Sequence, residues 1–119
     1  MYKIPEDFDF SCFKGKTLNQ ISFGLNVIII FFSTDIFIQW SGSFKVFREN
    51  LEIEYDEVYP VTDDSGLLNF LEKTVINVYS DEDRCNLFLT FEDNSKIVLC
   101  SDSGYESFSL NVKGIQTII

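Results

Sequence analysis

The chain alternates between apolar and polar residues along most of its length, which is the pattern of half-buried β-strands. Phe, Ile, Leu, Val and Tyr supply most of the apolar positions, and these residue types favour pleated surfaces. We predict strands over 18–23, 25–32, 36–41, 44–47, 51–56, 75–80, 85–92, 96–100, 105–112 and 115–119.

Three segments carry more specific expectations. The 25–32 segment is apolar on both faces, which predicts a strand buried on both sides. The 85–100 segment reads as a hairpin with its turn at 93–95, which would pair Glu92 with Lys96. The 66–73 segment predicts a two-turn helix docked on a sheet, because it places four apolar residues on one face: Leu67, Leu68, Phe70 and Leu71.

The order of these elements suggests an internal repeat. Lys16-Thr17-Leu18 resembles Lys73-Thr74-Val75, and each triplet is followed by a turn and a hydrophobic strand ending in Phe. We therefore predict a mainly β fold (α+β with one short helix) made of two similar antiparallel β-meanders, packed as a sandwich or a half-open barrel. Residues 1–119 form one domain in this interpretation, with a possible duplication of 16–48 and 73–110.

The amino-acid composition supports a mainly β fold and disfavours several classes of function. The 119 residues include no alanine, which disfavours a helical bundle, and no histidine, which removes the usual zinc ligand and general base. The net charge of −10 disfavours nucleic-acid binding. No segment has the length and apolarity of a membrane span or signal peptide. The number of cysteines is odd (Cys12, Cys85 and Cys100), which predicts reduced thiols rather than a disulfide framework. We therefore expect a cytoplasmic protein without membrane contact.

The sequence contains no phosphate-binding loop and no nucleophile elbow, and a cysteine nucleophile would lack a histidine base. The acidic turn Asp81-Glu82-Asp83 lacks the spacing of a calcium loop. We therefore expect no enzyme activity, no catalytic residues, no metal and no cofactor. An enzyme that uses carboxylates alone is the weakest alternative.

Charge placement is the most informative functional feature. Seven of the 19 acids fall between positions 49 and 64, where there is no basic residue. Such a segment could steer a basic partner and anchor it with tyrosines, or it could be a solubilising face that deters strand pairing. The predicted partner-binding residues are Glu49, Glu52, Glu54, Tyr55, Asp56, Glu57, Tyr59, Asp63 and Asp64.

Three motifs carry a resemblance to a family: Leu67-Leu68-Asn69-Phe70-Leu71, the hairpin stretch 87–94, and Tyr105-Glu106-Ser107-Phe108. In these the chain resembles small bacterial β-rich proteins that are often encoded beside polymorphic or contact-dependent growth inhibition toxins, some of which are regarded as immunity proteins. The resemblance implies a binding protein. It makes Tyr105 and Glu106 possible contacts, although a carboxylate that binds backbone amides at a turn is the simpler interpretation of Glu106.

These observations predict an immunity protein that neutralises a cognate toxin, a cationic nuclease domain, by acidic-surface complementarity. The alternative is a non-catalytic small-ligand-binding or scaffold module that uses an apolar pocket between the two β units.

Overall fold

The computed structural model describes residues 3–48, 51–55, 66–101 and 108–119, with position 55 described by its backbone. Within these residues the chain forms ten strands: β1 (Gln20–Phe23), β2 (Ile28–Ser33), β3 (Ile36–Trp40), β4 (Phe44–Arg48), β5 (Leu51–Tyr55), β6 (Val75–Ser80), β7 (Asn86–Phe91), β8 (Lys96–Cys100), β9 (Phe108–Val112) and β10 (Ile115–Ile118). The predicted mainly β fold is confirmed.

The strands form two antiparallel five-stranded sheets. Sheet 1 has the order β1-β2-β3-β9-β10, and sheet 2 has the order β5-β4-β8-β7-β6. The apolar members of each alternation lie between the sheets. Ile30, Ile38 and Leu110 of sheet 1 and Val46 and Leu89 of sheet 2 are completely buried. Removal of this apolar surface from water is the main force that holds the two sheets together.

Strand β2 is buried on one face, which corrects the prediction of burial on both. Ile28, Ile30 and Phe32 are buried, whereas Ile29 and Phe31 on the opposite face are half-buried. The reason is the two-layer architecture, since β2 has the other sheet on one side and solvent on the other. The outward Phe31 instead packs against Phe37 of β3, with ring centroids 5.2 Å apart.

Each sheet combines strands from both halves of the chain. The meander β1-β2-β3 is completed by β9-β10, and the meander β6-β7-β8 is completed by β4-β5. The pairings correspond when β1–β5 are matched with β6–β10. Ile38 pairs with Leu110 where β3 meets β9, and Ile97 pairs with Val46 at the corresponding contact of β8 with β4. The halves therefore exchange their last two strands.

The two halves meet at equivalent residues. Thr17 and Thr74 form an antiparallel bridge, and their hydroxyl oxygens lie 3.3 Å apart. The Leu18 N–H donates to the Lys73 carbonyl and the Val75 N–H donates to the Lys16 carbonyl, at 3.0 and 2.8 Å. This arrangement has the approximate two-fold symmetry that a duplicated unit would produce. The duplication of 16–48 and 73–110 itself stays a prediction.

The predicted register of the 85–100 hairpin was wrong by two residues. Lys96 pairs with Thr90 rather than with Glu92, and Leu89 pairs with Ile97. The turn is longer than predicted because the Phe91 N–H donates to the Ser95 carbonyl at 2.9 Å, and the Glu92 N–H donates to the Thr74 carbonyl at 3.0 Å. A shift by an even number of residues keeps each side chain on the same face, so the apolar Leu89 and Ile97 still point into the core, where both are completely buried.

The predicted two-turn helix is a single 3-10 turn, Leu67–Phe70. Leu67 and Phe70 are buried, but Leu68 and Leu71 are exposed. The turn stops early because Leu71 is extended and Glu72 is left-handed, with φ 70°. These conformations lead the chain into the bridge at Thr74.

The lead-in to β1 also contains a 3-10 turn, Phe10–Cys12, followed by the buried Phe13. In the described part of the chain, Cys12, Cys85 and Cys100 form no disulfide, and all three side chains are half-buried. Among the described residues, no helix has the length and apolarity needed to cross a membrane.

Candidate partner-binding surfaces

The acidic segment predicted to bind a partner is described only along β5. Glu52 and Glu54 are exposed on this edge strand, and the backbone of Tyr55 ends it opposite Phe44. The other predicted contacts lie outside the described residues: Glu49, Asp56, Glu57, Tyr59, Asp63, Asp64, Tyr105 and Glu106. Of the acidic segment 49–64, the structure therefore describes one pair of carboxylates, at the edge of sheet 2.

These two carboxylates have basic neighbours on the outer face of sheet 2. Glu54 pairs with Lys45, and its Oε1 lies 3.1 Å from the Lys45 Nζ. The hydrogen bond to Glu54 and the negative charge of that residue raise the pKa of Lys45. Glu52 lies across from Phe47, and the Lys96 Nζ lies 5.8 Å from the centroid of the Phe47 ring. The edge is thus a mixed-charge strip with the acids outermost.

A groove with charged walls lies at one end of this strip. It has a volume of about 610 Å³, and its lining includes Arg48, Glu52, Asp93 and Lys96. The Arg48 guanidinium packs over Gly66, where a Cβ would come within 3.1 Å of it. The groove presents both signs of charge, so its charges do not select an anion or a cation.

Asp93, on the wall of the groove, organises the turn between β7 and β8. Its carboxylate lies 2.7 Å from the Lys73 Nζ and accepts hydrogen bonds from the N–H and hydroxyl of the buried Ser95. Lys73 also lies over the Phe70 ring, 4.6 Å from its centroid. The hydrogen bond from Lys73, followed by that from Ser95, holds the pKa of the Asp93 carboxyl well below its usual range. This network connects the β7–β8 turn to the 3-10 turn Leu67–Phe70.

Asp81, the first residue of the acidic turn 81–83, stabilises the turn through hydrogen bonds. Asp81 accepts hydrogen bonds from the Cys85 N–H at 3.0 Å and from the Asn86 N–H and side-chain amide at 3.3 and 2.7 Å. Burial alone would raise the pKa of Asp81, but these hydrogen bonds outweigh it and lower the pKa. Within the ranges that the structure describes, no cluster of three or more acidic or cysteine side chains could hold a metal ion.

The outer face of sheet 1 differs sharply from that of sheet 2. The cross-strand pairings place ten outward residues in two rows: Gln20, Phe31, Phe37, Asn111 and Gln116, and Ser22, Ile29, Gln39, Ser109 and Ile118. None of the ten is charged. We call these ten residues the uncharged face.

The symmetry-related positions on sheet 2 provide an internal comparison. These residues are Asn77, Tyr79, Phe88, Thr90, Lys96, Val98, Phe47, Lys45, Glu52 and Glu54. Four of them are charged. The difference is therefore not a property of outward positions in this architecture, because the same positions carry charges in one sheet and none in the other.

The uncharged face combines aromatic, aliphatic and amide groups. The Phe31–Phe37 pair lies on β2 and β3, near the middle of the sheet. The Asn111 side-chain amide donates to the Ser109 hydroxyl at 3.1 Å, and the Gln20 amide donates to the Ser22 hydroxyl at 3.3 Å. Shallow cavities of about 150 and 360 Å³ reach this face near Gln39 and near Phe31. The surface is therefore polar enough for water and carries no fixed charge.

The predicted alternative, a ligand pocket between the β units, finds no support in the packing of the described core. The inner residues of the central strands β2, β3, β7 and β8 are at most 5% exposed and pack in one continuous core. The cavities described above open on the outside of the sheets or at their ends.

Neither protein-family models nor curated proteins nor solved structures match this chain. The resemblance to immunity-type proteins therefore stays a prediction from the sequence motifs. Its most specific motif, at 105–108, lies outside the described residues except for Phe108, which is buried against the core.

Sequence reasoning missed the uncharged face. Each outward residue could be read from its own strand, since Phe31 and Phe37, for example, fall on the outer phase of the alternation. The sequence did not predict that β9 and β10 would continue the sheet formed by β1, β2 and β3. Only this pairing gathers the uncharged positions of five strands into one surface.

Proposed function

We propose that this chain is a non-catalytic protein-binding module of the immunity type, which neutralises a cationic toxin domain in the cytoplasm. The observation that carries the proposal is the exposed acidic pair Glu52 and Glu54 on the edge strand of sheet 2, in a chain of net charge −10. Acidic groups at an exposed edge attract a basic partner and accelerate its association.

A toxin nuclease would have a basic surface that complements these acidic groups. An enzyme that binds nucleic acid presents Lys and Arg to the phosphates. An inhibitor that occupies such a surface needs carboxylates that can exchange their partners. Glu54 has this property, because its ion pair with Lys45 is solvent-exposed and therefore weak enough to be replaced by a partner's cation.

Co-expression with each candidate toxin gene found beside the gene of this chain tests the proposal. We expect the two proteins to copurify and the toxicity to disappear, with affinity that falls as salt is raised. The double variant Glu52→Lys/Glu54→Lys should weaken copurification. The matched control is Glu82→Lys/Asp83→Lys, which makes the same charge change in an exposed turn and should have a smaller effect.

Two results would contradict the proposal. The first is persistent toxicity with no copurification of the wild-type chain. The second is an equal loss of binding in the test and control variants, because that would reduce the role of Glu52 and Glu54 to their share of the overall charge.

A further inference from the structure

We propose that the uncharged face of sheet 1 is a self-association interface, and that its occupant is a second copy of this chain. The face comprises the ten outward residues of β1, β2, β3, β9 and β10 defined above. Depletion of charge together with aromatic residues near the centre is the composition of protein–protein interface cores. Phe31 and Phe37 provide that aromatic centre.

The charge distribution favours a second copy over a cationic partner. Two chains of net charge −10 repel each other wherever acidic surfaces meet. On sheet 2, face-to-face contact would bury the four outward charged residues, two lysines and two glutamates, and remove their hydration. On sheet 1, the described acid nearest in sequence to the rows, Asp35, lies in the β2–β3 turn at the rim, where its carbonyl accepts a hydrogen bond from the Lys113 N–H. A cationic partner would gain no attraction from this face.

The polar groups on the face are also self-complementary. Amide side chains such as those of Gln39 and Gln116 both donate and accept hydrogen bonds, so identical surfaces can pair through them. A two-fold dimer requires this property, because the same patch must serve both subunits. Charged groups of one sign would not satisfy it.

The size of the face predicts a weak dimer. Five strands about 4.8 Å apart and about five residues long, at about 3.4 Å per residue, give a face of about 400 Å² per copy. Two copies would bury about 800 Å², which is below the standard size of a stable interface. We therefore expect association only at high protein concentration.

Sedimentation velocity of the full chain, from about 10 µM to about 1 mM, tests the inference. The weight-average mass should rise from 13.8 kDa towards twice that value. Gln39→Glu, which places an acid at the centre of the face, should weaken association at least tenfold. Gln116→Glu should act in the same direction with less effect on folding, because Gln116 is exposed on β10.

The control is Thr90→Glu, which makes the same charge change on the outer face of sheet 2 and should change association less than threefold. Unfolding midpoints of all variants verify that each is folded. A wild-type mass that stays at 13.8 kDa up to 1 mM would overturn the inference. So would association that Gln39→Glu and Gln116→Glu leave unchanged, or that Thr90→Glu weakens equally.

This test is independent of toxin binding. The uncharged face and the acidic pair lie on different sheets, so Gln39→Glu should leave copurification with a toxin intact. Failure of one proposal would therefore not imply failure of the other.

Discussion

The approximate symmetry of the fold places a glycine and a glutamate in the same backbone conformation. Gly15 has φ 81° and Glu72 has φ 70°, and the two residues occupy equivalent positions 57 residues apart. Each donates its N–H at 2.8 Å across the bridge, Gly15 to the Val75 carbonyl and Glu72 to the Leu18 carbonyl. Only glycine adopts this left-handed region without steric cost. The substitution Glu72→Gly should therefore stabilise the protein.

The size of the effect follows from two opposing terms. A left-handed conformation costs an L-residue about 1–2 kcal/mol, and a glycine loses about 0.5–1 kcal/mol more conformational entropy on folding. The Glu72 carboxylate makes no hydrogen bond or ion pair among the described residues, so nothing else is lost. We expect Glu72→Gly to raise the free energy of unfolding by about 0.5–1 kcal/mol.

The reciprocal change should have the opposite sign. No heavy atom lies within 4 Å of a Cβ built at Gly15. Gly15→Ala therefore meets only the local backbone cost and should lower the free energy of unfolding by about 0.5–1 kcal/mol. Glu72→Ala is the matched control, because it removes the charge but retains the Cβ, and it should have little effect.

Urea unfolding, followed by the fluorescence of the single tryptophan, Trp40, measures these differences. With a slope of about 1.5 kcal/mol/M, the midpoint should move by about 0.3–0.7 M in each direction. A lower midpoint for Glu72→Gly would refute the reasoning. An equal rise for Glu72→Gly and Glu72→Ala would assign the effect to charge rather than to backbone conformation.

Two further predictions concern the network around the 3-10 turn Leu67–Phe70. The pKa of Asp93 is lower in the folded state, so the unfolded state binds more protons and the contribution of Asp93 to stability is lost as pH falls below about 4. In urea unfolding across this range, the difference in free energy of unfolding between the wild type and Asp93→Asn should shrink as pH falls, and a constant difference would contradict this linkage. Phe70→Ala should lower the free energy of unfolding by about 3–5 kcal/mol, because the ring is fully buried and lies 5.0 Å from that of Phe91. Leu68→Ala in the same turn should cost well under 1 kcal/mol, because Leu68 is exposed, and comparable losses in the two variants would contradict the assigned packing.

The strands were predictable because their physics is local. The alternation in β3 and in β7 fixes which side chains face the core, and this phase survives even where the register was wrong. The Glu92–Lys96 pairing failed because the Asp93 turn is determined by Lys73 and Thr74, which lie far away in sequence. The two-turn helix failed for a similar reason, because the bridge at Thr74 constrains the chain that precedes it.

The acidic surface was predictable in part. The excess charge of residues 49–64 is a fact of composition, and the outward phase of Glu52 and Glu54 follows from the alternation in β5. Their pairing environment was not predictable, because the ion pair of Glu54 with Lys45 depends on the register between β4 and β5.

The sequence by itself therefore determined the class of fold, the phase of its strands and the acidic character of the chain. These properties depend on neighbouring residues and on totals, which need no knowledge of the partners of each strand. The tertiary structure alone decided that β9-β10 would join sheet 1 and β4-β5 would join sheet 2. Strand pairing is a contact between distant residues, and many pairings satisfy the same alternation. For this reason, only the folded arrangement collects uncharged positions on one sheet and charged positions on the other.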